Sequence, residues 1–241
     1  MIVAAMTTSA RLAVILVCGH LLADFVSQSK RSAALKTNAL VLTLHALIAA
    51  LIPYLLVGSW TFWQLAAVTF ITHWVIDFIK VKSNKNGLAS FAIDQIAHLL
   101  VIYAFIQLTS ITPSTLRWSA HFGDAYMKVL IVVAGSVAVT VVSGIVVGYV
   151  VRDVARLAPV AKDTGFPSGG ERIGQLERFL VYVLILIGEP NAIGFLIAAK
   201  SILRFGELKE DRRDAEYVII GTMWSLVCAL LVSLAVRTLI Y

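Results

Sequence analysis

Charge is what this sequence has least of. Asp, Glu, Lys and Arg make up 14% of its 241 residues, against about 25% in an ordinary soluble domain. Hydrophobic residues make up 59%, and the mean hydropathy is +0.88. Cysteine is nearly absent. Cys18 and Cys228 both fall inside apolar runs, so there is neither a disulfide framework nor a cysteine metal pair. They read as small buried hydrophobes. The chain has no phosphate-binding P-loop, dinucleotide fingerprint, nucleophile elbow or CxxC motif. Nucleotide, flavin and serine-hydrolase chemistry therefore lack a carrier. The polar/apolar alternation of an outer-membrane barrel is missing too.

What the chain does have is apolar runs of the length that crosses a bilayer core of ~30 Å. A span must satisfy its own backbone hydrogen bonds, so these runs read as helices. The expected fold is all-α: a polytopic transmembrane bundle of about eight helices, near 10–27, 38–57, 60–79, 90–109, 126–150, 172–188, 191–203 and 215–239. The seventh is short and reads as tilted or re-entrant. The first lacks a small-residue cleavage site and contains His20 and Asp24, so it reads as an uncleaved span rather than a signal peptide.

The net charge of +6 is explained by loops rather than by nucleic acid. Loop 27–37 carries Lys30, Arg31 and Lys36. The third connection carries Lys80, Lys82 and Lys85. Loop 151–172 carries Arg152, Arg156, Lys162 and Arg172, and 204–213 carries Arg204, Lys209, Arg212 and Arg213. The intervening connections hold little or no positive charge. By the positive-inside rule the basic loops are cytoplasmic and both termini lie outside. Membrane lipid is the expected partner, nucleic acid is not, and a homo-oligomer is allowed.

Against this background the stretch from His73 to His98, HWVIDFIKVKSNKNGLASFAIDQIAH, is conspicuous. His73 and Asp77 sit four apart, as do Asp94 and His98. Residues four apart on a helix share a face. His20 and Asp24 form a third such pair, and His45 lies alone in the second span. The topology puts all seven toward the cytoplasmic side at a similar depth. An acid at membrane depth is a functional candidate by default. Imidazole with carboxylate suits zinc first, then manganese or iron, better than magnesium or calcium. The candidate metal ligands are His20, Asp24, His45, His73, Asp77, Asp94 and His98, with Asp94 and Asp77 the candidate catalytic carboxylates. Interhelical hydrogen bonding or a proton relay would use the same residue types.

The chain divides into a His/Asp-bearing domain, 1–110, and an extension, 111–241. In the extension Glu177 and Arg178 lie in the sixth helix, Lys200 and Arg204 close the seventh, Glu207 follows, and Glu216 opens the eighth. Arg suits a bidentate anion contact, so Arg178, Lys200, Arg204, Glu177 and Glu216 are candidate substrate-binding residues. Pairing of Arg178 with Glu216, or of Lys200 with Glu177, is the alternative. The turn-rich DTGFPSGG (Asp163–Gly170) leads into the sixth helix.

HLLADFVSQS (His20–Ser29), His45, HWVID (His73–Asp77) and DQIAH (Asp94–His98) resemble the bacterial membrane family catalogued as domain of unknown function 3307, over about residues 10–110. GERIGQLER (Gly170–Arg178), IAAKSILRFGE (Ile197–Glu207) and AEYVIIGT (Ala215–Thr222) resemble the extension of its longer members. More loosely, the His-x3-Asp helices are similar to bacterial inner-membrane metal-dependent hydrolases and to the all-helical zinc phospholipase C and P1-type nucleases. That resemblance implies a divalent metal and hydrolytic chemistry, and the expected substrate is a lipid or phosphorylated amphiphile at the cytoplasmic leaflet. A metal-ion or proton-coupled transporter and a structural membrane partner subunit are the competing expectations.

Overall fold

The computed structural model describes residues 2–157, 169–204 and 212–241. Every regular element among them is helical. The turn-rich segment from Asp163 lies outside the described residues up to 168, as do Lys162, Glu207 and Lys209. Gly169 and Gly170 open a helix instead. Chain contacts divide the molecule into two units, Met1–Val137 with Leu239–Tyr241, and Ala138–Thr238.

The first unit contains α1 (Thr8–Leu21), the short α2 (Lys30–Ala34), α3 (Ala39–Val57), α4 (Trp63–Ser83), α5 (Leu88–Leu108) and α6 (Arg117–Val137). Side chains cap the starts of α1, α2 and α3. Thr7 accepts from the Ala10 amide, Ser29 from Ser32 and Asn38 from Leu40, each supplying an acceptor to a donor the helix cannot satisfy. α3 ends at Gly58, whose φ of 72° is left-handed, the usual glycine stop. The α4–α5 turn uses two positive-φ positions, Asn84 (47°) and Gly87 (132°). α6 begins earlier than the expected loop 110–125 allows, and it is broken once at Gly123, φ 60°.

α3 shows how the bundle is built. Leu40, Leu44, Leu47, Leu51 and Leu55 are exposed, while Leu42, His45, Ala46, Ala49, Ala50 and Pro53 are buried. The leucine stripe repeats at helical spacing and suits lipid. The buried face is rich in small residues, which let helices approach closely in a membrane. At the α1–α3 contact, a β-carbon on Gly19 would lie 2.7 Å from the Pro53 β-carbon. The glycine is required there, one residue from His20. α6 covers the other flank. Trp118 and Tyr126 donate to the Leu55 and Leu56 carbonyls at 2.8 and 2.5 Å, satisfying orphan acceptors at the end of α3. Arg11 of α1 meets Asp124. α6 thus packs within the first unit.

The second unit opens with a π-helical turn at Ala138–Val142, followed by α7 (Ser143–Leu157), α8 (Gly169–Leu186), α9 (Ala192–Arg204) and α10 (Arg212–Ile240). Among the described residues, six helical stretches are long and apolar enough to cross a membrane: Thr8–Val26, Ala39–Val57, Trp63–Ser83, Leu88–Leu108, Arg117–Asp153 and Val218–Ile240. Of the eight expected spans, α8 and α9 are helical but fall short of this mark. α8 carries Glu171, Arg172, Glu177 and Arg178 among its first ten residues, and α9 has thirteen residues.

Candidate metal centre

The histidines and aspartates of the first unit meet at one place. His20, His45, His73, Asp77, Asp94 and His98 are each 6% exposed or less, and the Asp24 side chain is 8% exposed. Helical periodicity puts each pair on one inward face. The end of the first span departs from it. Leu22–Val26 is a π turn, closed by the Ser27 amide on the Leu22 carbonyl at 2.9 Å. It holds Asp24, and such turns concentrate at functional sites. His73 and His98 each lie ten residues from both ends of α4 and α5, about 15 Å along the helix. They are at the middle of the bundle, and Asp77 and Asp94 lie one turn toward the lysine-bearing end.

Imidazoles form the inner wall. His73 stacks on His98 with ring centroids 4.3 Å apart. His20 lies 4.9 Å from His98, and His45 lies 5.0 Å from His73. The tightest set is Asp24, His45 and His73. The two Nε2 atoms are 3.0 Å apart, and Asp24 Oδ1 is 3.4 Å from that of His45 and 3.3 Å from that of His73. A tetrahedral ion with ligands at about 2.0–2.1 Å separates them by about 3.3–3.4 Å. This triangle therefore has the dimensions of one face of a zinc site. Asp77 Oδ2 lies 3.6 Å from each of the same two nitrogens. A second set, Asp77, Asp94 and His98, is looser, with both carboxylates 3.9 Å from His98 Nε2. His20, His73 and His98 form a third group that shares members with both.

Three atoms of this cluster are buried without a hydrogen-bond partner among the described residues: Asp24 Oδ1, Asp94 Oδ1 and His98 Nε2. Each orphan costs about 1–3 kcal/mol. All three are candidate ligand atoms, so a cation would satisfy groups that the protein leaves bare. The residue types and spacing fit a divalent transition metal.

Three further residues complete the cluster and escaped the sequence reading. Lys36 donates to Asp77 Oδ2 at 2.6 Å, and Lys80 donates to Asp94 Oδ2. The loop-charge pattern gives both lysines only a topological role. Gln95 bridges two members: its Oε1 is 3.2 Å from His20 Nε2, and its Nε2 donates to Asp94 Oδ2 at 3.1 Å. Its position beside Asp94 was the available signal. For Asp94 the division is clear. One oxygen faces a lysine and the other, bare, faces the imidazoles. His121 stands apart in α6 against Phe122.

In the second unit, Lys200 pairs with Glu177 at 2.6 Å, one of the two pairings expected from sequence. The described bonds of Arg178 go to groups other than the expected Glu216. Its guanidinium donates to the Val139 and Thr140 carbonyls, each at 2.9 Å, and to the Ser225 hydroxyl at 3.1 Å. The first two lie in the π turn, where the altered register redirects carbonyls. Gly144 makes room, since a β-carbon there would lie 2.6 Å from the guanidinium. Glu216 is exposed on α10, and Arg204 ends α9.

No curated protein and no solved structure matches the chain. Residues 12–127 match the model of the family described as protein of unknown function DUF3307. That stretch runs from α1 into α6 and holds every residue of the cluster, so the similarity of this protein to that family covers the whole candidate site.

Proposed function

We propose that the first unit is an intramembrane divalent-metal centre, zinc before manganese or iron, and that it hydrolyses a lipid or phosphorylated amphiphile. The observation that carries the metal is the triangle of Asp24 Oδ1, His45 Nε2 and His73 Nε2, with edges of 3.0 to 3.4 Å, beside three bare ligand atoms. Asp77, Asp94, His98 and His20 complete the coordination or hold a second ion. A bound divalent cation would polarise the scissile group and lower the pKa of water. Asp94, whose inner oxygen has no partner, is the candidate base, with Asp77 as the alternative. Lys36 and Lys80 are the cations beside these carboxylates, and an anionic headgroup would meet them first. The proposal places the protein in the bacterial inner membrane, with the lysine end in the cytoplasm and both termini outside, as the loop charges support.

Metal analysis of detergent-purified protein is the first test. The expected result is about one or two zinc per chain, lost in H73A. The second is release of p-nitrophenol from bis(p-nitrophenyl) phosphate and of headgroup from phosphatidylglycerol vesicles. Activity that persists in D94N/D77N at full rate removes the catalytic assignment. We extend the headgroup role to Arg178, Lys200, Arg204, Glu177 and Glu216 on the sequence pattern alone. Its readout is a raised KM in K200A and R204A at unchanged zinc content.

A second reading is a metal-ion carrier. The position of His73 and His98 at mid-helix favours it, because carriers bind near the midplane. Uptake of radiolabelled zinc by vesicles containing the protein distinguishes the two.

A further inference from the structure

A cavity of about 840 Å³ opens between α4 and α5 at the end of the bundle opposite Lys36 and Lys80. Its mouth is rich in hydroxyls, among them Ser59, Thr61, Ser110 and Thr115, and none of its lining residues is charged. Behind it lies a second, narrow cavity of about 30 Å³ that reaches His20, His73 and His98. Val68, Thr72, Val101 and Phe105 line both, so the two share one wall. The narrow part has room for about two water molecules. It is too small for a lipid headgroup and large enough for an ion that has shed most of its hydration.

The two ends of the cluster differ in charge. At one end ammonium groups sit on Asp77 and Asp94, and a cation approaching there is repelled. At the other, neutral hydroxyls lead to imidazole nitrogens. We propose that a hydrated divalent cation reaches the cluster through the hydroxyl-lined cavity between α4 and α5, losing water at the Val68–Val101–Phe105 constriction, while the lysine end is left to anions. This rests on the metal centre proposed above, and it separates the route of the metal from the route of an anionic substrate.

The test is the rate at which EDTA strips zinc from the loaded, detergent-purified protein. V101W, and independently A104W, should retain the zinc content of the unsubstituted protein and release it at least tenfold more slowly. K82M, at the lysine end but outside the cluster, should release it no more slowly. In sealed vesicles, a cysteine-free background (C18A/C228A) carrying T115C should react with a membrane-impermeant thiosulfonate from one face, and N86C in the lysine-side turn from the other. Zinc uptake with unslowed release from both tryptophan variants overturns the route and spares the metal centre. A chain that takes up no zinc overturns both. Labelling of T115C and N86C from the same face overturns the opposed ends on which the route depends.

Discussion

Lys36→Met is the substitution that separates a metal centre from a self-sufficient ion-pair core. The Lys36–Asp77 pair is 2.6 Å long, with side chains 13% and 2% exposed. Removing one partner of a buried pair strands the other, at a cost of about 3–5 kcal/mol. At roughly 2–4 °C per kcal/mol for a chain of this size, the Tm should fall on the order of 10 °C in EDTA. Zinc changes the comparison, because the ion would itself balance Asp77. At a hundred times its Kd it stabilises the unsubstituted protein by about 2.7 kcal/mol. In the variant the shift should be larger, since the ion both binds and relieves the stranded carboxylate, and zinc affinity should rise with one positive charge removed. The assay is a thermal melt in detergent, with and without zinc, beside Lys82→Met as control. Lys82 extends over the Phe78 ring at 5.6 Å, and its loss should stay within about 0.5 kcal/mol. The same zinc-induced shift in K36M as in the unsubstituted protein would refute the reasoning, because it would mean that Asp77 does not sense the ion.

Other expectations follow from single contacts. His73→Ala removes a residue that belongs to two ligand groups, and zinc titration should give an affinity at least ~100-fold weaker, beyond the range for outer partners. Gln95→Leu leaves the ligands in place but frees His20 and Asp94; a loss of about 10–100-fold in affinity is expected, and unchanged affinity would count against the bridge. Gly19→Ala must part α1 from α3 at Pro53, costing about 1–3 kcal/mol in a thermal melt. Arg178→Leu strips the Val139 and Thr140 carbonyls of their donor. It should lower the Tm by several degrees, whereas Ser225→Ala, which removes one acceptor, should cost only about 1 kcal/mol.

The inward cluster was legible because helical spacing fixes which residues share a face. Three i,i+4 pairs and one lone histidine could therefore be brought together without coordinates. Its depth was not legible in the same way. The third and fourth spans were expected to end at 79 and begin at 90, which would put Asp77 and Asp94 at the helix ends. α4 instead continues to Ser83 and α5 starts at Leu88. The continuation is stable because Lys80 reaches sideways to Asp94 and Lys82 lies over Phe78. Charged residues that looked like loop are helix with snorkelling side chains. Side-chain direction also hid Lys36, which approaches Asp77 from the α2–α3 connection 41 positions away in sequence. Both π turns were invisible for a related reason. They are changes of hydrogen-bond register that packing selects, and Ala138–Val142 has no composition that marks it. The role of Arg178 could not be read without that turn.

Charge balance ties the two ends of the cluster together. Asp24, Asp77 and Asp94 bring three negative charges, and Lys36 and Lys80 return two. With neutral histidines the cluster is left with one net negative charge in a buried site. A low-dielectric interior makes such an excess costly, and it can be removed by one proton or reversed by one divalent ion. One proton on the imidazoles would still leave Asp94 Oδ1, 3.9 Å from His98 Nε2, short of a donor. The divalent ion satisfies the bare oxygens and nitrogen together, and it turns the net charge to plus one. A site of that charge, with lysines on its rim, calls for one more anion. A phosphorylated amphiphile carries that anion at the end of an apolar chain, and the exposed leucine stripe of α3 indicates the solvent in which such a molecule would be dissolved. The same balance predicts order: the metal first, the anionic ligand after it, with no measurable binding of phosphate to the zinc-free protein.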